Sequence, residues 1–360
     1  MPAKPNLANL IERALAGLGD FQVAIVSDSE VGELQITPPA RGAIPLVFKS
    51  YRLITPARAE GACKILLQEA RMRNAQPLLY AAAVSDRTAE IAKQAGVSWM
   101  DFAGNCVLQF PEHSLYVQHR GIPSSHGKHD QKTLKIFSPR SSRVPRAMLQ
   151  EPQRTWQVNE LAKHPDVKVS PGLVSRIKGR MVDEGYVVVD ERRLRLKRPK
   201  RLLDDWVAEM RSTRREQVMY YMRGGLADIE AKVADWLQKE NLLHALSHLA
   251  AGWRIAPEVR YSVTSFLLAE EAWESEALLG FEEACGARRV ESGANLTFYR
   301  PLDESQFANL SETPVPVTSA LQTYLDLRTM DGRGQEAADT LYDQILRQSF
   351  DAATRTAREL

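Results

Sequence analysis

From Leu7 to about residue 120 the apolar residues fall in short runs that alternate with stretches of helical spacing. Leu7–Leu18 keeps its apolar residues on one face, interrupted by Glu12 and Arg13, and predicts a short amphipathic helix. Three β-branched-rich runs follow, Phe21–Val26, Val31–Ile36 and Ile44–Phe48, bounded by Asp, Gly and Pro, and read as strands. Thr55–Asn74 has helical spacing. Pro77–Val84 is continuously apolar, as a strand covered on both faces should be. Ser85 caps a further helix over Asp86–Ala95, which Gly96 closes. Val97–Asp101 and Cys106–Phe110 read as strands around an Ala-Gly-Asn turn. Alternating strands and helices predict an α/β domain over residues 1–120.

The periodicity lapses over residues 121–142, which are rich in Gly, Ser, His, Lys and Pro and read as a linker. It resumes with helix spacing at Val144–Gln150 and Val158–Ala162. Ser170 then caps a helix whose first residue, Pro171, needs no N–H partner. Leu173, Val174, Ile177 and Met181 share one face of that helix, and Gly185 ends it. Two short strands, Tyr186–Asp190 and Leu194–Lys197, flank the basic turn Glu191–Arg193. This order reads as a winged helix-turn-helix over 143–199. Ser170, Ser175, Arg176, Lys178 and Arg180 become candidates for the duplex DNA surface. Arg192, Arg193, Arg195 and Lys197 become candidates for the wing.

Residues 200–360 predict a third, mixed α/β domain, so the chain as a whole reads as multi-domain α/β. Helices are expected at Leu202–Arg211, Glu230–Ala251 (broken near Asn241), Leu278–Ala284, Ser319–Leu327 and Gln335–Gln348. Strands are expected at Val218–Met222 and Val259–Val263, with a hairpin of Arg289–Glu291 and Asn295–Tyr299. Trp206, Leu237, Leu242, Leu246, Leu321, Tyr324 and Leu325 mark apolar helix faces that should form most of its core.

Charge sharpens the central reading. The whole chain carries a net charge of only +2, with 47 basic and 45 acidic residues. From Arg140 to Arg201 there are 16 Lys and Arg against 7 Asp and Glu, a local excess of +9, which leaves 31 against 38 elsewhere. Phosphate binding by counterion release requires such a concentration of cations. No apolar run approaches the roughly 20 residues that cross a bilayer, and the N-terminal helix is not a signal peptide. Three widely spaced cysteines, Cys63, Cys106 and Cys285, suggest free thiols in a reducing cytoplasm.

Pro316–Leu327, followed by Gly332–Ala338, resembles the C-terminal signature of the AbiEi-type antitoxins of type IV toxin–antitoxin systems. Gly293–Asp303 is similar to that family's preceding hairpin. Trp99–Asn105, after Pro77–Tyr80, resembles an N-terminal segment of long members. The resemblance spans most of residues 77–350 and implies a repressor that binds repeats in its own promoter. It further implies functional antagonism of a nucleotidyltransferase toxin without a stable complex. The α/β domain ahead of the winged helix departs from the family's usual order. Double-stranded DNA with repeated half-sites is the expected partner, with self-association on DNA and no membrane role. No cofactor, catalytic residue or metal site is expected.

Two further readings stay open at this point. The order helix, three strands, helix, strand, helix is similar to that of restriction-endonuclease-like folds, which would make the N-terminal domain a metal-dependent nuclease. Such a site needs a carboxylate two residues before its lysine; here Val47 precedes Lys49, and Asp28 or Glu33 would have to serve alone as the upstream acid. A degenerate, non-catalytic scaffold is the expectation. The chain could also be a DNA-tethered module whose flanking domains bind a protein. His244 and His248 share an i, i+4 spacing with Glu240 one turn earlier, but no further ligand follows, so core or capping histidines are expected. His126 and His129 lie in the linker and are expected to be solvated. Asp101–Asn105 reads as a turn in which Gly and Asn take unusual dihedrals.

Overall fold

The computed structural model describes residues 5–39, 42–122, 134–274, 277–311 and 313–357. The chain is multi-domain α/β and divides into two compact units. The first is 1–133 together with 183–185, and the second is 134–182 together with 186–360. His126 and His129 lie outside the described residues.

In the first unit, α1 (Leu7–Leu15) precedes a meander of β1 (Gln22–Ser27), β2 (Gly32–Thr37) and β3 (Ile44–Tyr51). Then come α2 (Pro56–Arg73), β4 (Gln76–Ala81), α3 (Asp86–Gln94), β5 (Ser98–Asp101), β6 (Cys106–Phe110) and β7 (Leu115–His119). The strands form one sheet in chain order. β3, β4 and β5 run parallel, because α2 and α3 carry the chain back between them; the outer pairs are antiparallel. Alternation along β4 serves both faces. Leu78 and Tyr80 pack with Ile11 and Leu15 of α1, while Leu79 and Ala81 pack with Cys63 and Leu66 of α2. A strand buried on both faces is therefore continuously apolar, as expected for this run. β7 goes beyond the strands read from the sequence: Leu115 and Val117 alternate with exposed Tyr116 and Gln118, but the run is short and exposed His119 ends the pattern.

The second unit opens with α4 (Arg143–Gln150), α5 (Val158–Lys163), α6 (Pro171–Asp183) and the antiparallel pair β8 (Val187–Asp190) and β9 (Arg193–Leu196). It continues with α7 (Pro199–Met210), β10 (Gln217–Tyr221), α8 (Leu226–Lys239), β11 (His244–Leu246), α9 (His248–Ile255) and β12 (Thr264–Leu268). The remaining elements are α10 (Glu270–Glu274), α11 (Ala277–Cys285), β13 (Arg288–Arg289), β14 (Leu296–Tyr299), α12 (Ala320–Arg328), α13 (Arg333–Leu341) and α14 (Arg347–Thr356). Its five-stranded sheet has the order β11-β12-β14-β10-β13. One apolar cluster joins α4–α7 to α12–α14, so Trp156, Ile177 and Leu194 share a core with Trp206, Tyr324 and Phe350.

Several expectations fail here for physical reasons. The strand read at Val259–Val263 lies five residues later, at β12; Thr264–Leu268 is buried throughout and so lacks the alternation that marks a half-exposed strand. The hairpin of 289–291 with 295–299 does not form. β10 lies between β13 and β14 and pairs with both. The helix over 230–251 does break at Asn241, which adopts a left-handed φ of 54°. Beyond it the chain forms β11, so Leu246 is on a strand and Leu242 in a half-buried turn rather than on a helix. The helix over 335–348 is interrupted by a π turn at Tyr342–Leu346. That extra residue keeps Tyr342, Leu346 and Phe350 on the buried side.

Candidate nucleic-acid interface

The geometry of 143–199 begins with local capping. At α5 the Gln157 N–H donates to Glu160 Oε2 (2.9 Å) in a reciprocal box. A seven-residue link, 164–170, longer than a tight helix-turn-helix turn, leads to α6. Within it Lys168 takes a left-handed φ of 45° and is exposed. Ser170 then accepts the Leu173 N–H on its hydroxyl (3.3 Å), the capping role expected of it. Val174, Ile177 and Met181 are fully buried, with Leu173 half-buried beside them.

The opposite face of α6 is open. Pro171, Gly172, Ser175, Arg176, Gly179 and Asp183 are its exposed residues. The two glycines flank Ser175 and Arg176 and leave the helix backbone accessible to a surface laid against it. Lys178 and Arg180 sit on the flanks, half-buried, and Arg180 is engaged by another group. Of the four basic or hydroxyl side chains expected along this helix, Ser175 and Arg176 are the two on the open face.

The strand pair turns at Glu191 and Arg192, both with positive φ (43° and 69°), the twist that a two-residue hairpin needs. Arg192 projects from the tip and is exposed. Arg193 is the first residue of β9, not part of the turn. Its guanidinium reaches back to Thr155 Oγ1 (3.4 Å) and lies 3.9 Å from Glu160 Oε1. Leu194 and Leu196 point into the core while Arg195 and Lys197 are half-buried. Trp156 adds a third strand position, exchanging both backbone hydrogen bonds with Leu194 (2.9 and 2.7 Å).

The local excess of positive charge is thus partly spent inside the unit. Arg143 makes a bidentate pair with Asp303, and Arg154 covers the Trp156 ring at 3.8 Å while bonding Glu151. Lys200 and Arg201 face Asp204 and Asp205 one turn on. Lys163, Lys168, Arg176 and Arg192 remain exposed around α5, α6 and the turn. Lys168 was absent from the sequence candidates; its place two residues before a capping serine was the available signal.

A second polar centre lies within the same unit. Asp326, fully buried on α12, accepts from Arg215 Nη1 (2.9 Å) and Gln322 Nε2 (2.7 Å). Its Oδ2, Gln322 Oε1 and two Arg215 nitrogens are sealed without a hydrogen-bond partner. His248, buried at the start of α9, stacks on Tyr299 with ring centres 4.0 Å apart and meets Ser247 Oγ through Nδ1 (3.0 Å). Burial pushes its pKa down to about 4 and pushes the Tyr299 phenol up. His244 lies on β11, its Nδ1 2.8 Å from the Leu242 carbonyl, so the two histidines do not share a helix face.

The N-terminal candidates are engaged with one another. Lys49 Nζ bonds Glu30 Oε1 and Arg73 bonds Glu33 Oε1, both at 2.7 Å; Asp28 is also engaged. Val47 is buried, opposite Glu33 in the β2–β3 register. Asp101 takes the Ala103 and Asn105 N–H groups on Oδ1 and the Asn105 amide on Oδ2. Gly104 has a φ of 99°, but Asn105 does not adopt positive φ; its side chain instead bonds Ile122 at both ends. Cys63, Cys106 and Cys285 are free and buried, and burial raises the first two thiols to about 11. Among the described residues no three His, Cys, Asp or Glu side chains are grouped to hold a metal, and no helix is long and apolar enough to cross a membrane.

Residues 195–347 match the family model described as transcriptional regulator, AbiEi antitoxin, type IV TA system. The match starts inside β9 and ends at the first residue of α14, so it includes the Asp326 centre but neither α6 nor the hairpin tip. It also includes the segments 293–303, 316–327 and 332–338 that carried the resemblance. The segment Trp99–Asn105 lies outside it. No curated protein and no solved structure matches the chain.

Proposed function

We propose that the chain is a sequence-specific, double-stranded-DNA-binding transcriptional regulator of the AbiEi antitoxin type. In this reading residues 143–199 are a winged helix-turn-helix, with α6 as recognition helix and the β8–β9 hairpin as wing. The observation that carries the reading is the open face of α6, where Ser175 and Arg176 stand between two glycines beside an arginine-tipped hairpin. A helix with small residues on its outer face can seat its backbone close to a groove, and one arginine can then read a guanine edge bidentately. The family match over 195–347 supports a transcriptional regulator of a toxin–antitoxin system. Ser170 serves the fold of the recognition helix, with Lys178, Arg180, Arg195 and Lys197 as flanking phosphate contacts. The protein acts in the cytoplasm on repeated half-sites, where neighbouring copies meet on DNA. Through the same family resemblance it counteracts a nucleotidyltransferase toxin.

The N-terminal unit is a non-catalytic scaffold in this reading, because Lys49 and Glu33 are bound into surface ion pairs and Val47 offers no ligand. The deciding experiment is affinity for a selected cognate site against random duplex at one salt concentration. Arg176→Ala is expected to cost about 1–3 kcal/mol on the cognate site and clearly less on random DNA. Equal losses on both would confine Arg176 to the backbone. Failure of wild-type protein to enrich any duplex from a random pool would end the reading.

A further inference from the structure

The sheet of the first unit ends in β1, and among the described residues no strand lies on its outer side. An open edge presents unpaired N–H and C=O groups, so native edge strands are short, charged, proline-bearing or covered. In the five-stranded sheet, β11 is covered, because the Leu246 backbone bonds Pro316 and Thr318. β13, the other edge of that sheet, has only two residues. β7, opposite β1 in its own sheet, carries exposed Gln118 and His119. β1 is six residues long, holds no charge and no proline, and leaves Ile25 and Val26 40% and 62% exposed.

The usable edge is bounded at both ends. At its start the Phe21 N–H turns back to the Gly19 carbonyl (3.1 Å). At its end the β1–β2 register shifts between Ile25 and Ser27, a bulge with Val26 as the extra residue. Between them the Val23 N–H points away from β2, since it donates to Oε1 of exposed Glu12 on α1 (3.3 Å). Alternate residues of a strand share one edge and one face, so Phe21 and Ile25 turn the same way as Val23. Phe21 and Val23 pack at the rim of the α1-side core, and Ile25 stands opposite Leu34 of that core. The three apolar residues are thus spaced symmetrically about Val23, with only Gln22 and Ala24 between them.

We propose that this edge pairs with the same edge of a second copy of the chain, antiparallel and centred on Val23, with Glu12 as the group that must swing away. Phe21 then faces Ile25 of the second copy, and Val23 faces Val23, which carries the α1-side core from one copy into the next. About four backbone hydrogen bonds form: each Val23 N–H donates to the other Val23 carbonyl, and each Ile25 N–H to the Phe21 carbonyl of the other copy. Centring on Ala24 instead would run Phe21 against Ser27, beyond the bulge. A contact this short makes a weak dimer. It gives neighbouring copies a surface on which to meet but needs no DNA, so its failure and that of the DNA-binding reading are separate results.

The test is sedimentation velocity of the full chain without DNA from about 1 to about 200 μM, where a reversible dimer with Kd of about 10–100 μM is expected. Ile25→Lys puts an edge lysine at a residue already 40% exposed, so the fold should survive, and the dimer should weaken at least about tenfold. Glu12→Ala frees the Val23 N–H and removes a carboxylate from the pairing edge, and should tighten the dimer at least about threefold. Leu53→Lys, at an exposed apolar residue away from β1, should leave Kd unmoved. A wild-type chain that stays monomeric throughout that range would overturn the proposal. So would an unchanged Kd in Ile25→Lys, a dimer no tighter in Glu12→Ala, or equal weakening by Leu53→Lys.

Discussion

Asp101 and Asp326 are both buried carboxylates, one in each unit, and they are satisfied in opposite ways. Asp101 takes three hydrogen bonds from within four residues of itself, so its turn closes locally. Asp326 draws on Arg215, 111 residues away in sequence, and on Gln322 one helical turn before it, and still has an oxygen without a partner. The first arrangement can form as soon as the β5–β6 corner does. The second exists only when α12 has docked, and it leaves Arg215, Gln322 and Arg146 incompletely bonded. At these two aspartates the N-terminal unit closes its carboxylate locally, whereas the C-terminal unit leaves Asp326 short of a partner.

The largest expected effect breaks this contrast directly. Asp326→Ala should cost about 3–5 kcal/mol in denaturant unfolding, because Arg215 is left as an uncompensated, nearly buried charge. Asp101→Ala, which orphans only neutral donors, should cost about 1–3 kcal/mol. A reversed order would mean that long-range pairing is not what secures the second unit.

Acid should expose the same centre. The folded state holds His248 neutral with a pKa of about 4, while an unfolded histidine takes its proton near 6.5. The folded pKa is the lower one, so this contribution is complete above pH 6.5 and is lost as pH falls towards 4, amounting to about 3 kcal/mol at most by then. His248→Asn tolerates the left-handed φ of 53° at this position and should flatten the stability profile between those limits. An unchanged profile would assign the acid sensitivity to carboxylates instead.

Smaller effects sharpen the comparison at the surface. Arg192→Ala should flatten the dependence of log affinity on log salt by about one unit, one lost phosphate contact. Arg193→Ala should change it less, since that guanidinium already lies against Thr155 and Glu160. Equal slopes for both variants would place the two arginines alike on DNA. Smallest of all, Lys49→Met should leave Tm unmoved, because it breaks only a surface pair with exposed Glu30. Cleavage of duplex DNA with Mg²⁺ or Mn²⁺ by pure protein, abolished in this variant, would instead restore a nuclease site.

Legibility followed the range of the interactions. Ser85 and Ser170 could be named as caps because the capped N–H lies three residues on. The break near Asn241 and a turn starting at Glu191 were visible because their strain is local, although Arg193, read into that turn, begins β9. β12 and the β10 insertion were not, because a fully buried strand has no alternation and its neighbours are chosen by sheet assembly. Across residues 140–201, the charge count marked every basic side chain alike. It did not distinguish exposed Arg176 from Arg146, whose charge is buried over an indole.

By itself, then, the sequence determined most helices and strands of the first unit, the capped α5–α6 pair and the concentration of charge around them, since each rests on period, capping or count over a few residues. The tertiary structure decided what that charge is available for. It bound Arg143, Arg193 and Lys49 to carboxylates from elsewhere in the chain and left Arg176 open, and it sealed Arg146 over the Trp206 ring. Pairing between distant residues depends on which surfaces dock, and no local pattern in the chain records that.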